Sequence, residues 1–311
     1  MKRVERTVWR DGEFVPWDDA NVHILAQSLQ RGSLAFDFMS VHQAQLGVAV
    51  FRLEDHVARL FKTCSIMGLP IAYSQAELVE GCAETVRRNP GATSLKISAL
   101  IPSIEAELVP RNPRVGVFIC AYDYESDILG IEEPAGSHRE TVSLKVEREI
   151  VNRRPDIIPP QAKMAANYTS AMFAKWRARE EGFDEIVLLD GDGAIAEAPT
   201  SNIFLVNAEG LATPPEDKVL HGITRASVIE LADALGIACH ATDLAVDDLR
   251  SAREVFLTST SVGVWPVVRI DGRPVSSGST GPVTSRLKDA LAEISRGTDP
   301  KFEHWLHYVS D

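Results

Sequence analysis

The stretch that decides the fold runs from Lys163 to Asn202 and reads KMAANYTSAMFAKWRAREEGFDEIVLLDGDGAIAEAPTSN. Residues 162–181 are rich in alanine, methionine, lysine, arginine and glutamate and contain neither proline nor glycine, a composition that predicts a helix. Residues 185–190 form a short apolar run that is typical of a buried strand. Lys163 is therefore expected in the first turn of a helix that leads into a strand.

The second half of this stretch ends in two polar residues beside a further strand. The Asp-Gly-Asp-Gly sequence at 190–193 predicts a hairpin turn, because glycine tolerates positive φ there, and residues 201–207 predict another strand. Glu197 lies between the hairpin and that strand, and Asn202 lies within it. A lysine at a helix start or a glutamate after a hairpin is most often a solvated charge, but element ends are also where catalytic groups are mounted.

The residues before this stretch predict a separate small domain. Amphipathic spacing predicts two helices, over 53–67 and 75–89. Strands are expected over 8–15 (a hairpin), 34–42, 48–52, 94–101 and 115–122. Residues 126–137 are polar, acidic and rich in turn formers, which predicts a linker. We therefore predict an α+β fold with a small domain over 1–125 and a larger domain over 138–311.

The composition of the whole chain excludes several classes of protein. The 311 residues carry a net charge of −12, which argues against a general nucleic-acid binder. The four cysteines are far apart and have no metal-binding or redox spacing, so free thiols in a reducing compartment and no metal site are predicted. No run is long and apolar enough to span a bilayer, and the N-terminus has no apolar signal core. We predict a cytoplasmic protein without a membrane partner.

Three places in the chain are suited to an anion such as a phosphate group. Residues 222–224 (Gly-Ile-Thr) precede a predicted helix, whose first turn offers unpaired N–H groups and the positive end of the dipole. Residues 258–261 (TSTS) supply four hydroxyls at the end of a predicted strand, and Arg59 lies on the helix over 53–67. Each feature alone has an ordinary alternative, since serine and threonine often cap helices and arginine is usually a surface charge.

Taken together, the motifs resemble those of the class IV (fold-type IV) aminotransferases, which are enzymes that depend on pyridoxal 5'-phosphate (PLP). This family includes branched-chain aminotransferases, D-amino acid aminotransferases, (R)-amine transaminases and aminodeoxychorismate lyases. The resemblance extends over nearly the whole chain, with matching order and spacing. It rests on five segments: FRLEDHVARL (51–60), IPPQAKMAANYTS (158–170), GAIAEAPTSNIFLV (193–206), LHGITR (220–225) and FLTSTSVGVWPV (256–267).

The resemblance implies a two-domain fold of the D-amino acid aminotransferase type, with the cofactor in the cleft between the domains. It also implies a homodimer whose partner contributes to the substrate pocket. For the cofactor, it implies that Lys163 carries PLP as a Schiff base and that Glu197 binds the pyridine nitrogen. The other implied roles are a ring-oxygen contact for Tyr168, phosphate contacts for Arg59, Ile223, Thr224 and Thr260, ring packing for Leu220 and support of Glu197 by Asn202.

The second half of the chain is most similar to branched-chain aminotransferases, whereas the first half departs from their pattern. Ser40 stands where an arginine is expected, and residues 94–104 (SLKISALIPSI) lack the expected tyrosine and arginine of the pocket strand. They also lack the Arg-x-His of the D-amino acid enzymes. Candidate substrate residues are Arg31, Phe36, Ser40 and Ser261, and Arg31 is either a carboxylate anchor or part of a loop salt bridge.

We predict a PLP-dependent aminotransferase with a ping-pong mechanism, in which an amino acid gives up its amino group and a 2-oxo acid accepts it. Branched-chain and other hydrophobic L-amino acids are the favoured donors. A D-amino acid or (R)-amine transaminase is the first alternative, an aminodeoxychorismate lyase the second, and a relative that never binds PLP the third. The intact set Lys163, Tyr168, Glu197 and Thr224 argues against the third alternative.

Overall fold

The computed structural model describes residues 5–130 and 140–309, which divide into two units. Their bounds are Met1–Ser137, Ala162–Ala166 and Ile294–Asp311 for unit 1, and His138–Gln161 and Asn167–Glu293 for unit 2. The prediction of domains over 1–125 and 138–311 placed each domain on one continuous segment. In the structure, the short segment that carries Lys163 and the C-terminal segment instead group with unit 1.

Unit 1 is built on a seven-stranded antiparallel sheet, in the order β15-β4-β3-β5-β6-β1-β2. Along residues 35–42 of one inner strand, buried and half-buried side chains alternate, the pattern of a sheet that packs against helices on one face. The strands are β1 (Thr7–Arg10), β2 (Glu13–Pro16), β3 (Ala35–Ala44), β4 (Gly47–Phe51), β5 (Ser94–Leu100), β6 (Gly116–Tyr122) and β15 (Leu306–Tyr308).

The helices of unit 1 are α1 (Gln27–Arg31), α2 (Leu53–Met67) and α3 (Gln75–Arg88). The bounds predicted for α2 are confirmed, and this helix ends where Gly68 adopts a left-handed conformation. α3 begins with a capping box between Ser74 and Glu77. α2 packs on β3 and α3 packs on β6, so the buried face of the sheet and the apolar faces of both helices share one core.

The polar segment after β6 differs from the loop that its composition suggests. Tyr124–Leu129 forms a single turn of π-helix, and Asp127 in this turn makes a buried ion pair with Arg6. Residues 131–137 of the predicted linker lie outside the described residues.

Unit 2 contains a mixed eight-stranded sheet, in the order β11-β10-β9-β12-β13-β7-β8, with β14 paired to β13. The pairs β7–β8, β13–β7 and β10–β11 are parallel, and the others are antiparallel. The strands are β7 (Val142–Glu147), β8 (Glu185–Leu188), β9 (Asn202–Val206), β10 (Leu211–Thr213), β11 (Cys239–Ala241), β12 (Glu254–Ser259), β13 (Gly263–Ile270) and β14 (Arg273–Pro274).

The helices of unit 2 cover a sheet whose central strands are buried on both faces. β9 has no exposed residue: Ile203 and Leu205 pack in one aliphatic core, and Phe204 stacks on Phe256 of β12 at 5.0 Å. The helices are α4 (Thr169–Glu180), α5 (Ile223–Ala234), α6 (Val246–Ser251) and α7 (Pro282–Ser295). No helix among the described residues is long and apolar enough to cross a membrane.

The structure corrects the predicted position of Lys163. The helix starts later than its composition suggests, with a 3-10 turn at Ala165–Tyr168 followed by α4. Lys163 lies before that turn, outside any helix or strand, and Met164 forms an isolated bridge with Ala35 at the start of β3. The backbone of Lys163 is therefore fixed by hydrogen bonds to other segments rather than by a helix of its own.

Candidate active site

Lys163 is held from two sides by unit 1. The N–H of Phe36 on β3 donates to its carbonyl oxygen at 3.2 Å, and its own N–H donates to Oγ1 of Thr63 on α2 at 3.2 Å. The side-chain Nζ lies 4.8 Å from the centroid of the Phe36 ring. The amine of Lys163 therefore extends from a fixed backbone and rests against an aromatic face.

Arg59 is fixed by a carboxylate that the sequence analysis did not select. Asp37 on β3 accepts two hydrogen bonds from the Arg59 guanidinium, from Nε to Oδ2 at 2.8 Å and from Nη2 to Oδ1 at 2.7 Å. Asp37 is fully buried, and Arg59 is 8% exposed. This two-bond geometry locks the plane of the guanidinium, as a phosphate-binding arginine requires.

His56 completes this buried cluster. Its Nδ1 donates to Oδ1 of Asp37 at 2.7 Å. Burial alone would raise the pKa of Asp37, but the Arg59 and His56 groups beside it hold that pKa well below the usual range. Burial lowers the pKa of His56, although Asp37 acts in the opposite direction. The Asp37 carboxyl therefore stays ionised, and the guanidinium keeps its charged partner.

The remaining candidates of unit 1 lie in different environments. Phe36 and Ser40 lie on the half-buried face of β3, opposite to the face that carries Asp37. Ser40 Oγ is 2.8 Å from Nε2 of His42. Arg31 ends α1, is exposed, and donates to the backbone oxygens of Ala106 (3.3 Å) and of its neighbour Gln30 (3.4 Å). Phe36 is thus the candidate substrate residue that contacts Lys163.

Glu197 in unit 2 is immobilised by three groups. Its Oε2 accepts hydrogen bonds from Nδ2 of Asn202 at 3.3 Å and from the N–H of Leu220 at 3.2 Å. Its Oε1 lies 3.4 Å from Nη1 of Arg153, and the Glu197 side chain is 3% exposed. Asn202 also donates to the carbonyl of Leu220 at 3.0 Å. Three of the candidate cofactor residues, Glu197, Asn202 and Leu220, therefore contact one another within one unit.

Arg153 links Glu197 to Tyr168, and the sequence analysis missed it. Its guanidinium carbon lies 4.9 Å from the centroid of the Tyr168 ring. Burial alone would lower the pKa of Arg153, but the Glu197 charge and a hydrogen bond with Tyr168 raise it. A buried arginine that stays charged gives Glu197 a positive partner and restrains Tyr168.

The start of α5 has the features of an anion site. Gly222 precedes the first turn without a side-chain cap, and Thr224 within that turn is 5% exposed. A Cβ at Gly222 would overlap with Oδ1 of Asn202 and push against it. The glycine therefore lets the backbone before the helix start pack closely against the Asn202 side chain.

The four hydroxyl-bearing residues at 258–261 lie in different environments. Thr258 pairs with Asn202 in the sheet, so the two side chains share one face, and the Thr258 hydroxyl is buried without a hydrogen-bond partner in the part of the chain that the structure describes. Thr260 is half-buried in the turn after β12, and Ser261 is exposed. An unpaired buried hydroxyl costs free energy unless a ligand or water satisfies it.

Sequence signals existed for part of what was missed. Asp37 is a single acidic residue within an apolar strand, FDFM, and such a residue needs a buried cation. Arg153 lies ten residues before Lys163, in a segment whose prolines predict only an extended conformation. Nothing local in the sequence identifies its two partners, because Tyr168 and Glu197 follow later in the chain.

Residues 34–270 match the family of amino-transferase class IV. The chain belongs to this family and is a transaminase, so the predicted family and the fold-type IV architecture are confirmed.

Two curated relatives illustrate the similarity. The chain is 33% identical over 309 residues to the branched-chain-amino-acid aminotransferase of Escherichia coli strain K12, with 97% of each chain covered. It is 30% identical over 308 residues to the enzyme of the same name from Pseudomonas aeruginosa, again with 97% of each covered.

Solved structures match the fold over its full length. A branched-chain amino acid aminotransferase complexed with N-(5'-phosphopyridoxyl)-L-glutamate superposes with a TM-score of 0.90 at 30% identity, covering 99% of this chain and 100% of that one. The enzyme from the archaeon Thermoproteus uzoniensis with norvaline superposes with a TM-score of 0.89 at 30% identity, covering 98% and 100%.

Proposed function

We propose that the protein is a PLP-dependent aminotransferase that moves the amino group of a hydrophobic, branched-chain L-amino acid to a 2-oxo acid by a ping-pong mechanism. The observation that carries this proposal is the Lys163 amine at 4.8 Å from the Phe36 ring. This contact places a reactive amine next to an apolar side chain. The name of the Escherichia coli relative and the ligands named for the two solved structures support the same substrate class and cofactor.

The donor groups present fit PLP. In unit 1 we assign Lys163 as the amine that binds the cofactor. We assign Arg59, which Asp37 orients, as a contact of the cofactor phosphate. In unit 2 we assign the phosphate to the uncapped start of α5, with Ile223 and Thr224, and to Thr260. We add Thr258, because its buried hydroxyl lacks a partner among the described residues.

The remaining cofactor residues of unit 2 hold the ring. Glu197 is assigned to the pyridine nitrogen, where its fixed carboxylate would keep that atom protonated. Tyr168 is assigned to the ring oxygen, restrained by Arg153, and Leu220 is assigned to ring packing. Asn202 supports Glu197 through its hydrogen bond.

When bound, PLP would supply an electron-accepting ring that makes the Cα–H of an amino acid acidic. Lys163 Nζ would take the Cα proton as a general base and release it again as a general acid. Its anchored backbone limits the volume that the amine can sample, which favours a productive geometry. Phe36 would pack against the aliphatic side chain of the donor and exclude water there. Arg31, Ser40 and Ser261 stay predicted substrate residues.

We further propose a homodimer in which the partner completes the substrate pocket. A surface in unit 1 supports this, formed by residues 23–29 and 103–109, here called the aliphatic patch. The two segments are joined by the bridge Ala26–Ile104 and by the hydrogen bond from the Gln27 N–H to Ser103 O at 3.0 Å. Six large side chains are at least half exposed there: Ile24, Leu25, Leu29, Ile104, Leu108 and Val109. Contiguous apolar surface of this kind marks interaction sites.

The cytoplasmic location stays a prediction.

The test of the function is the visible absorption of the purified holoenzyme during addition of a single amino donor. Addition of L-leucine is expected to remove the band of bound PLP, whereas D-alanine and (R)-1-phenylethylamine leave it unchanged. Lys163→Ala is expected to abolish turnover. The control is Lys145→Ala, which removes an ion pair with Glu181 and is expected to retain turnover. A band that responds only to D-alanine or the (R)-amine would contradict the proposed donor class, and a protein that never binds PLP would contradict the whole function.

A further inference from the structure

A second lysine in unit 1 shares the Phe36 ring with Lys163. Lys96 lies on β5, and its Nζ is 4.9 Å from the ring centroid, while Lys163 Nζ is 4.8 Å from the same centroid. The two Nζ atoms are therefore separated by less than the sum of these distances. Lys96 is half-buried, so part of its hydration is lost.

The surroundings of Lys96 supply no negative charge. Its partners across the sheet are Phe38 on β3 and Cys120 on β6, and no described residue forms a hydrogen bond or an ion pair with its ammonium group. Burial raises the pKa of the Cys120 thiol to about 11, so the thiol is neutral at pH 7. The carboxylate of Asp37 lies on the opposite face of β3 and is committed to Arg59 and His56.

A half-buried cation without a counter-ion is unfavourable. A carboxylate that approaches Phe36 would gain a charge-assisted hydrogen bond with Lys96 and would remove this penalty. The apolar part of the same molecule would rest on the ring. Substrates of an aminotransferase are amino acids and 2-oxo acids, and every one of them carries at least one carboxylate.

We propose that Lys96 is a substrate-binding residue that binds a carboxylate of the substrate beside Lys163. This inference rests on the proposed function, because it takes Lys163 as the reacting amine. The carboxylate is either the α-carboxylate common to all substrates or the distal carboxylate of a dicarboxylic partner. A lysine is a single point charge with three donors, so it binds a carboxylate without the fixed two-bond geometry of arginine.

The test compares Lys96→Met, which removes the charge and keeps the length, with Lys96→Arg, which keeps the charge. Steady-state constants are measured with 2-oxoglutarate and with 4-methyl-2-oxopentanoate as amino acceptors. Loss of a charged hydrogen bond is expected to raise the KM by roughly ten- to a hundredfold in Lys96→Met. kcat is expected to change little, and Lys96→Arg to restore most of the affinity.

The matched control is Lys301→Met. Lys301 is exposed and its Nζ lies 5.5 Å from the centroid of the Phe302 ring, so this variant removes an equivalent lysine–phenylalanine contact elsewhere in unit 1. Circular dichroism and thermal unfolding verify that each variant folds. If Lys96→Met does not fold, Lys96→Arg and Lys96→Gln are compared instead.

Binding of unreactive carboxylates separates this inference from the proposed function. Glutarate and 4-methylpentanoate are titrated into each purified holoenzyme by calorimetry. Weaker binding of glutarate alone in Lys96→Met would assign Lys96 to the distal carboxylate, and weaker binding of both acids would assign it to the α-carboxylate. The inference would be overturned if Lys96→Met bound glutarate and 4-methylpentanoate as tightly as the wild type and had unchanged KM values for both amino acceptors. A wild-type protein that binds the acids but transfers no amino group would contradict the proposed function and leave the Lys96 site standing.

Discussion

At the scale of single residues, the least obvious determinant of the candidate site is Asp37. It lies on the face of β3 opposite to Phe36, yet it fixes the guanidinium that we assign to the phosphate. Without Asp37, Arg59 would be a buried cation whose rotamer is no longer fixed by a carboxylate, and both its solvation and its orientation would suffer. We therefore regard Asp37 as a positioning residue rather than a catalytic one.

Asp37→Asn is expected to destabilise the apoenzyme by about 3–5 kcal/mol, since it leaves the Arg59 charge buried without its carboxylate. It is also expected to weaken PLP binding by at least about tenfold, because the guanidinium loses its fixed plane. Urea unfolding measures the first effect, and titration of the apoenzyme with PLP measures the second.

The matched control for this variant is Asp127→Asn. Asp127 pairs with Arg6 at 2.8 Å, and both side chains are about as buried as those of the Asp37–Arg59 pair. Asp127→Asn is expected to cost similar stability but to leave PLP affinity at the wild-type level. Equal losses of PLP affinity in the two variants would show that Asp37 acts through general stability and not through Arg59.

At the scale of elements, the start of α5 requires a residue without a side chain at position 222. Gly222→Ala would place a Cβ against Oδ1 of Asn202, which would displace the amide that holds Glu197 and Leu220. We expect Gly222→Ala to lower PLP affinity and kcat each by roughly tenfold or more, because a small displacement of a positioning group is costly in an active site. Gly191→Ala in the hairpin, where a Cβ meets open space, is the control and should retain both. An active Gly222→Ala enzyme with normal PLP affinity would refute this account of the helix start.

The elements also show what the sequence could and could not predict. α2 was predicted to its last residue, because its apolar spacing and its terminal glycine are local signals. The segment at Lys163 was misjudged because local composition favours helix there, whereas β3 and the residue before it form competing hydrogen bonds. These are Phe36 N–H to Lys163 O at 3.2 Å and Ala165 N–H to Leu34 O at 2.9 Å. Propensity contains no information about a strand so distant in the chain.

The same distinction applies to the candidate site. Residues of the motifs, such as Glu197, Asn202 and Leu220, contact one another in the structure, because their segments are short and lie on adjacent elements. Asp37, Arg153 and Lys96 were not selected, since each acts through a partner that the fold brings close from another segment. Pairing between segments is a tertiary property, and no local pattern encodes it.

At the scale of the whole molecule, the aliphatic patch is the surface that we assign to the proposed homodimer interface. Its two segments hold each other through backbone hydrogen bonds, so the exposed side chains are displayed on a defined surface rather than on a loose loop. Leu108 and Val109 are 74% and 75% exposed. A stable interface removes on the order of 800 Å² from each partner, and a cluster of large aliphatic side chains is what the centre of such an interface needs.

Leu108→Asp is therefore expected to shift the protein from dimer to monomer, because a carboxylate in the centre of an apolar interface would be buried without a partner. Light scattering coupled to size exclusion measures the mass, and the amino-transfer assay measures activity, which should fall with dissociation if the partner completes the substrate pocket. Leu46→Asp is the control, since Leu46 is a comparably exposed leucine (68%) outside the patch. A Leu108→Asp protein that stays dimeric would place the interface elsewhere. The exposed face of α4, with Met172, Phe173 and Trp176, is the surface to substitute next.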